Sequence, residues 1–176
     1  MKRKVWFILP AIVFILSGCA MLQSVIKSTF PYTTTLEIPR TSAVGVETSV
    51  TGMANSFDQD FKKDGNNADK VSKVRMESAR VESRDPHDFN IGNLTSLKVY
   101  MSKADGTDEV LVASRTDITA GVGNVMILDI DNTHLLEKMV REAKVRIKMV
   151  YKLRNHIDVN AHLHIVLGLA AIPRRN

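Results

Sequence analysis

With 176 residues the chain holds one domain's worth of sequence, and 44% apolar residues are enough to build a real core. A net charge of +5 is accompanied by only 6% aromatic residues, which argues against nucleic-acid binding, where concentrated basic charge is interleaved with stacking aromatics. Cys19 is the only cysteine, so an internal disulfide framework is excluded and the fold must stand on its apolar core.

Lys2, Arg3 and Lys4 form a basic cluster, followed by an apolar run from Val5 to Leu16 and then by Ser17-Gly18-Cys19. That order is the plan of a secretory signal: positive charge held on the cytoplasmic side, a short apolar segment, small residues at the cut. The run contains Pro10 and falls well short of the roughly twenty residues that span a bilayer as a helix, so a plain transmembrane anchor is the weaker reading. Leu16-Ser17-Gly18-Cys19 resembles the lipobox of bacterial lipoproteins. The resemblance implies that residues 1–18 are a signal peptide recognised through Leu16, Ser17 and Gly18. It also implies that the Cys19 thiol is alkylated by a diacylglyceryl group, that the chain is cut before Cys19, and that the new amine is acylated. Burial contributes about 0.8 kcal/mol per CH₂, and two or more chains anchor stably where one binds only marginally. Losing the signal removes three positive charges and leaves 158 residues at +2. Ala20 stands where, in the sorting rule of many Gram-negative bacteria, an Asp retains a lipoprotein in the inner membrane. Met21 to Ser24 carry no acidic cluster of the kind that marks some surface-exported lipoproteins. These features point to the outer membrane, facing the periplasm, with a covalent lipid on Cys19 and no other cofactor.

Residues 19–32 read as a tether with some apolar character (Met21, Leu22, Val25, Ile26, Phe30), leading into a domain over 33–173. Thr33 to Ile38 is rich in β-branched residues and stops at Pro39, as a first, edge strand would. From Val44 to Val50, Val44, Val46, Thr48 and Val50 alternate with Gly45, Glu47 and Ser49, which predicts a second strand. Phe57 and Phe61, four apart in a polar stretch, allow one helical turn with both rings on the core side. Val71 to Val81 alternates again, but its apolar parity shifts from Val74 and Met76 to Ala79 and Val81. A one-residue shift turns every side chain to the other face, so a β-bulge or bend is predicted near Ser78.

Asp85-Pro86 opens a loop through Asn93, after which Leu97, Val99 and Met101 line one face of a strand. The turn Ala104-Asp105-Gly106-Thr107-Asp108 and the return Val110 to Ala113 make a hairpin with Asp-Gly chemistry. Gly121 and Gly123 precede an apolar strand from Val125 to Ile130. Leu135, Leu136, Met139 and Val140 have helical spacing, with Asp131 or Asn132 available as N-cap. At the C-terminus, Val145, Ile147, Met149, Tyr151 and Leu153 alternate with Lys144, Arg146, Lys148, Lys152 and Arg154. The next strand sets Val159, Ala161, Leu163, Ile165, Leu167 and Leu169 on one face. Paired as an antiparallel hairpin with both sets inward, the two strands require a loop with an odd number of residues. Asn155-His156-Ile157 is the natural choice, and it places Arg154 opposite Asp158.

Short strands, turn signals, one minor helix and no βαβ unit predict a mostly β fold, an antiparallel β-sandwich with one or two short helices. There is no internal repeat and no low-complexity stretch. Four segments, Ser28 to Thr35, Ala54 to Asp58, Ala113 to Asp117 and Leu128 to Asn132, carry a further likeness. Through them the region after Cys19 resembles a family of small Gram-negative lipoproteins with an immunoglobulin-like β-sandwich. The resemblance implies that fold and supplies no catalytic residues.

Candidate chemistry is sparse. His162 and His164 share a strand face and could approach one metal ion, but no spacing supplies the third protein ligand that zinc needs; His156, Asp158 and His134 are the remaining candidates for it. The competing reading puts both imidazoles on a half-exposed face beside Lys148, where positive charge opposes a cation. The basic run from Lys138 through Arg141 to Lys144, Arg146, Lys148, Lys152 and Arg154 reads either as a patch for anionic partners or as the solvent-facing side of an amphipathic strand that blunts edge pairing. Gly121-Val122-Gly123-Asn124 leads into a strand rather than a helix, so it reads as a turn and not as a phosphate loop. Asp105, Asp108 and Glu109 at the hairpin tip lack a full calcium-loop pattern. Ser56, Ser114 and the five histidines have no meaningful nucleophile–base spacing. The expected function is a lipid-anchored, non-enzymatic accessory or interaction module at the outer membrane, its partners the membrane itself and a protein there. The alternative is a carrier for an apolar or lipid-like ligand, which requires an apolar pocket of some hundreds of Å³.

Overall fold

The computed structural model describes residues 28–55, 71–142 and 144–173. The expectations for the signal, Cys19, the first part of the tether and the Phe57–Phe61 turn lie outside the described residues. The described residues contain nine strands: β1 (Ser28–Ile38), β2 (Glu47–Asn55), β3 (Val71–Asp85), β4 (Leu94–Lys103), β5 (Val110–Arg115), β6 (Val125–Ile127), β7 (Asp129–Ile130), β8 (Lys144–Leu153) and β9 (Ala161–Pro173). They form two sheets, ordered β1-β9-β3-β6 and β2-β8-β4-β5-β7, in which every paired neighbour runs antiparallel. This is the antiparallel β-sandwich expected from the strand pattern.

The core follows from strand periodicity. Val145, Ile147, Met149, Tyr151 and Leu153 of β8 are buried, as are Leu97, Val99 and Met101 of β4 and Leu163, Ile165, Leu167 and Leu169 of β9. Each such side chain contributes about 1.5–3 kcal/mol on burial. The expected bulge is present: in the pairing of β3 with β9, Met76 faces Leu169 and Ser78 faces Gly168, with the register slipping between them. Glu77 is the inserted residue, and it lets Val74 and Met76 before it and Ala79 and Val81 after it all reach the core. The β4–β5 hairpin also forms as expected. Gly106 turns at φ +89°, and the Asp105 carboxylate accepts from the Thr107 backbone N–H at 2.9 Å and its hydroxyl at 2.7 Å.

The predicted C-terminal hairpin is absent. β8 pairs with β2 and β4 in one sheet, and β9 pairs with β1 and β3 in the other. Two strands with one apolar face each can lie side by side or face each other across a core, and a sandwich takes the second arrangement. Arg154 therefore does not oppose Asp158, whose carboxylate instead lies 3.8 Å from His156 Nε2. Ile157 is buried at the crossing, while Val159 is 47% exposed, so the core face of the last strand starts at Ala161.

Other boundaries moved for local reasons. β1 starts at Ser28 rather than Thr33 and buries Tyr32, so the strand takes the end of the predicted tether. It is an edge strand, as expected. The second strand starts at Glu47, because Val44 makes only a single parallel bridge to Leu153 and Val46 is exposed. The predicted strand from Val125 to Ile130 is split: β6 pairs with β3, β7 pairs with β5, and buried Leu128 between them donates its N–H to the Ala79 carbonyl as the chain changes sheets. No helix starts at Asp131. Its carboxylate caps a turn by accepting from Thr133 N–H and Oγ1, and only Met139–Arg141 forms a single 3-10 turn. The spacing of Leu136, Met139 and Val140 serves a buried turn as well as a helix, and Leu135 is left 48% exposed.

Candidate functional site

The sequence-predicted basic residues lie on and just beyond β8, in the middle of their sheet between β2 and β4. They are not equivalent. The Lys148 ammonium pairs with Glu109 and sits 4.8 Å from the centroid of the Tyr100 ring. Lys152 is in register with Glu47, but that carboxylate turns to Lys98 Nζ at 3.1 Å, and its hydrogen bond and charge hold the Lys98 pKa above the usual lysine value. Arg154 is engaged differently from the other four, donating from Nε to the Gly92 carbonyl at 3.1 Å and from Nη2 to the Ile118 carbonyl. Lys144, Arg146 and Lys152 are the three candidates in this group with cationic heads engaged in neither an ion pair nor a hydrogen bond among the described residues.

The carbonyls that Arg154 holds belong to a polar corner with no obvious signal in the sequence. Asn90 Oδ1 accepts from Gly92 N–H at 2.9 Å and Gly123 N–H at 3.1 Å, and its Nδ2 donates to the Ala120 carbonyl at 2.6 Å. Ile91 N–H adds a bond to the Gly123 carbonyl at 2.7 Å. The 3-10 turn Ile91–Asn93 and the glycine-containing loop around 118–124 are thus locked together. The only available signal was the Asn-x-Gly pattern at Asn90 and Gly92, which is common to many turns.

His162 and His164 lie on β9, in the sheet opposite Lys148, so the expectation that they sit beside Lys148 is overturned. Their neighbours on the adjacent strands include acids: Glu37 and Asp85 are opposite His162, and Thr35 and Glu82 are opposite His164. His162 Nε2 lies 3.3 Å from Glu37 Oε2 and its Nδ1, buried without a hydrogen bond, 3.8 Å from Asp85 Oδ2. Each ring nitrogen faces a different carboxylate, which is ion-pair geometry rather than convergence on one ion. Among the described residues no group of three or more His, Cys, Asp or Glu is placed to hold a metal.

His164 Nδ1 lies 3.1 Å from Thr35 Oγ1. Partial burial, reinforced by Arg84 and Arg80 and opposed by Glu82, lowers its pKa below the ordinary 6.5. The unfolded chain therefore takes up this proton before the folded chain does, so stability falls as the pH drops through the range just below 6.5. Replacing His164 by Gln is expected to shrink that acid-side loss, read as a smaller drop in urea midpoint between pH 7 and pH 5 than in the unmodified chain. An unchanged slope would count against this assignment.

At the hairpin tip, each carboxylate has its own partner. Asp105 is held below the usual carboxylate range by the Thr107 hydrogen bonds, and Asp108 likewise by Lys103, 3.0 Å away, with Lys138 adding to the effect. Glu109 pairs with Lys148. A separate cleft of about 360 Å³ opens where β3 begins, lined by Lys73, Arg75, Met76, Glu77, Ile130, Asn132, Ala170 and Ala171. It draws on three distant segments, and nothing in the sequence pointed to it. No protein-family model, curated protein or solved structure matches the chain.

Proposed function

We propose that the chain is a lipid-anchored, non-catalytic β-sandwich lipoprotein, an accessory or interaction module on the periplasmic face of the outer membrane. The observation that carries this reading is Leu16-Ser17-Gly18-Cys19 placed directly behind a basic cluster and a short apolar run. Ala20 after the cysteine supports the outer membrane over the inner one. β1 begins nine residues beyond Cys19, a span of at most about 30 Å for an extended chain, so a lipidated Cys19 keeps the sandwich close to the bilayer. Lys144, Arg146 and Lys152 offer an open cationic surface for an anionic protein partner.

The test is the intact mass of the mature protein purified from its native membrane. The expected product starts at Cys19 and carries diacylglyceryl and N-acyl groups. A bare thiol, or a chain still carrying residues 1–18, would overturn the proposal. Crosslinking in the same membranes then reads the partner, and capture is expected to weaken when Lys144, Arg146 and Lys152 are replaced together by Gln.

A further inference from the structure

We infer that the cleft at the start of β3 is a binding site for a single-chain anionic amphiphile, an acyl chain with one negatively charged head. Its volume of about 360 Å³ is at the low end of the roughly 300–1,000 Å³ typical of ligand pockets, room for one chain and not for a two-chain phospholipid. The floor suits hydrocarbon. Ala170 and Ala171 are small side chains that leave the space open, Met76 is a side chain that adapts to irregular shapes, and Ile130 stays 39% exposed at the edge.

The charge at the rim selects the head. Lys73 sits at φ +52°, within the register slip between Ser72 and Arg75, and its backbone N–H is satisfied by Glu137 Oε1 at 2.6 Å. Its ammonium has no ion pair among the described residues. Arg75 uses Nη1 on the Asn132 carbonyl and keeps other guanidinium donors for an anion. Glu77 is the one acid in the described lining, against these two cations.

Position supplies the source. Ala171 of the cleft pairs with Ser28, the first residue of β1, so the cleft lies at the end of the sandwich where the tether enters. On the lipid-anchor reading, this is the end nearest the membrane, where fatty acids and lysophospholipids are released. The site itself rests on the cleft geometry. Only the origin of its ligand rests on that reading.

The test uses the mature chain, residues 19–176, with C19S, titrated calorimetrically with dodecanoate and, separately, with a lysophosphatidylglycerol, each below its micellar concentration. Saturable one-to-one binding of either probe is expected, and the tighter of the two identifies a carboxylate or a phosphate head. K73Q and I130S are each expected to weaken it about tenfold, with the melting temperature of K73Q unchanged. An uncharged dodecyl glycoside is expected to bind at least about tenfold more weakly. Absence of saturable binding by both anionic probes, binding by K73Q or I130S as tight as by the unsubstituted chain, or binding of the glycoside as tight as that of the anionic probes would each overturn the site. None of these outcomes alters the mass measured at Cys19, so the two proposals fail separately.

Discussion

Replacing Gly92 by Ala is expected to lower the stability of the sandwich by about 3 kcal/mol or more, near the upper end of what overpacking costs. A Cβ at this position would lie 2.2 Å from the Ala120 carbonyl oxygen, 2.5 Å from its carbon and 2.7 Å from the Thr119 oxygen. All three atoms are backbone, so no side chain can swing aside. Moving the loop away would break the bonds of Asn90 to Ala120 and Gly123 and that of Ile91 to Gly123, each worth about 0.5–1.5 kcal/mol net. The control is Gly121→Ala in the same loop, where an added Cβ meets nothing within 4 Å; it is expected to change stability by less than about 0.5 kcal/mol. Urea unfolding of the two variants side by side checks this. Equal midpoints would mean that the close approach of the two segments does not hold in solution.

This corner also shows where reading along the chain stops being informative. Patterns with a short period were legible. The period of two in β8 identified its buried face, the parity change after Met76 placed a bulge near Ser78, one residue from the inserted Glu77, and Asp105-Gly106 marked the hairpin. Parity could not show whether β8 and β9 lie side by side or face to face, because both arrangements bury the same residues. The split of β6 from β7 was hidden for a related reason: an apolar run reads the same whether or not it changes sheets at Leu128. Leu136, Met139 and Val140 fit a helix and a buried turn equally well. The resemblance to a lipobox rests on four adjacent residues, Leu16 to Cys19, so it needs no fold to be noticed. The cleft gathers Lys73, Ile130 and Ala170 from three segments, so nothing in the linear order announces it. Asn90 and Gly92 matter because a loop some thirty residues away presses on them, a contact created only by the fold.

Arg154→Met is expected to cost about 2 kcal/mol, whereas Lys144→Met and Lys152→Met should each stay within about 0.5 kcal/mol. All three belong to one alternating basic pattern in the sequence, and the difference lies in what their heads touch. Arg154 reaches the carbonyls of Gly92 and Ile118, and both residues are buried. Methionine keeps the stem and leaves those oxygens without their donors. Lysine is expected to recover only part of the loss, since one ammonium does not replace two N–H groups held in a rigid fork. Thermal unfolding of the four variants measures the difference, and an Arg154→Met melting temperature matching that of Lys152→Met would refute it. The distinction bears on any search for an anionic partner. Arg154 joins the Asn90 corner to the strand end, so a binding defect in its variants reports a loosened fold. A defect in the Lys144, Arg146 and Lys152 variants, with melting unchanged, reports the contact surface itself.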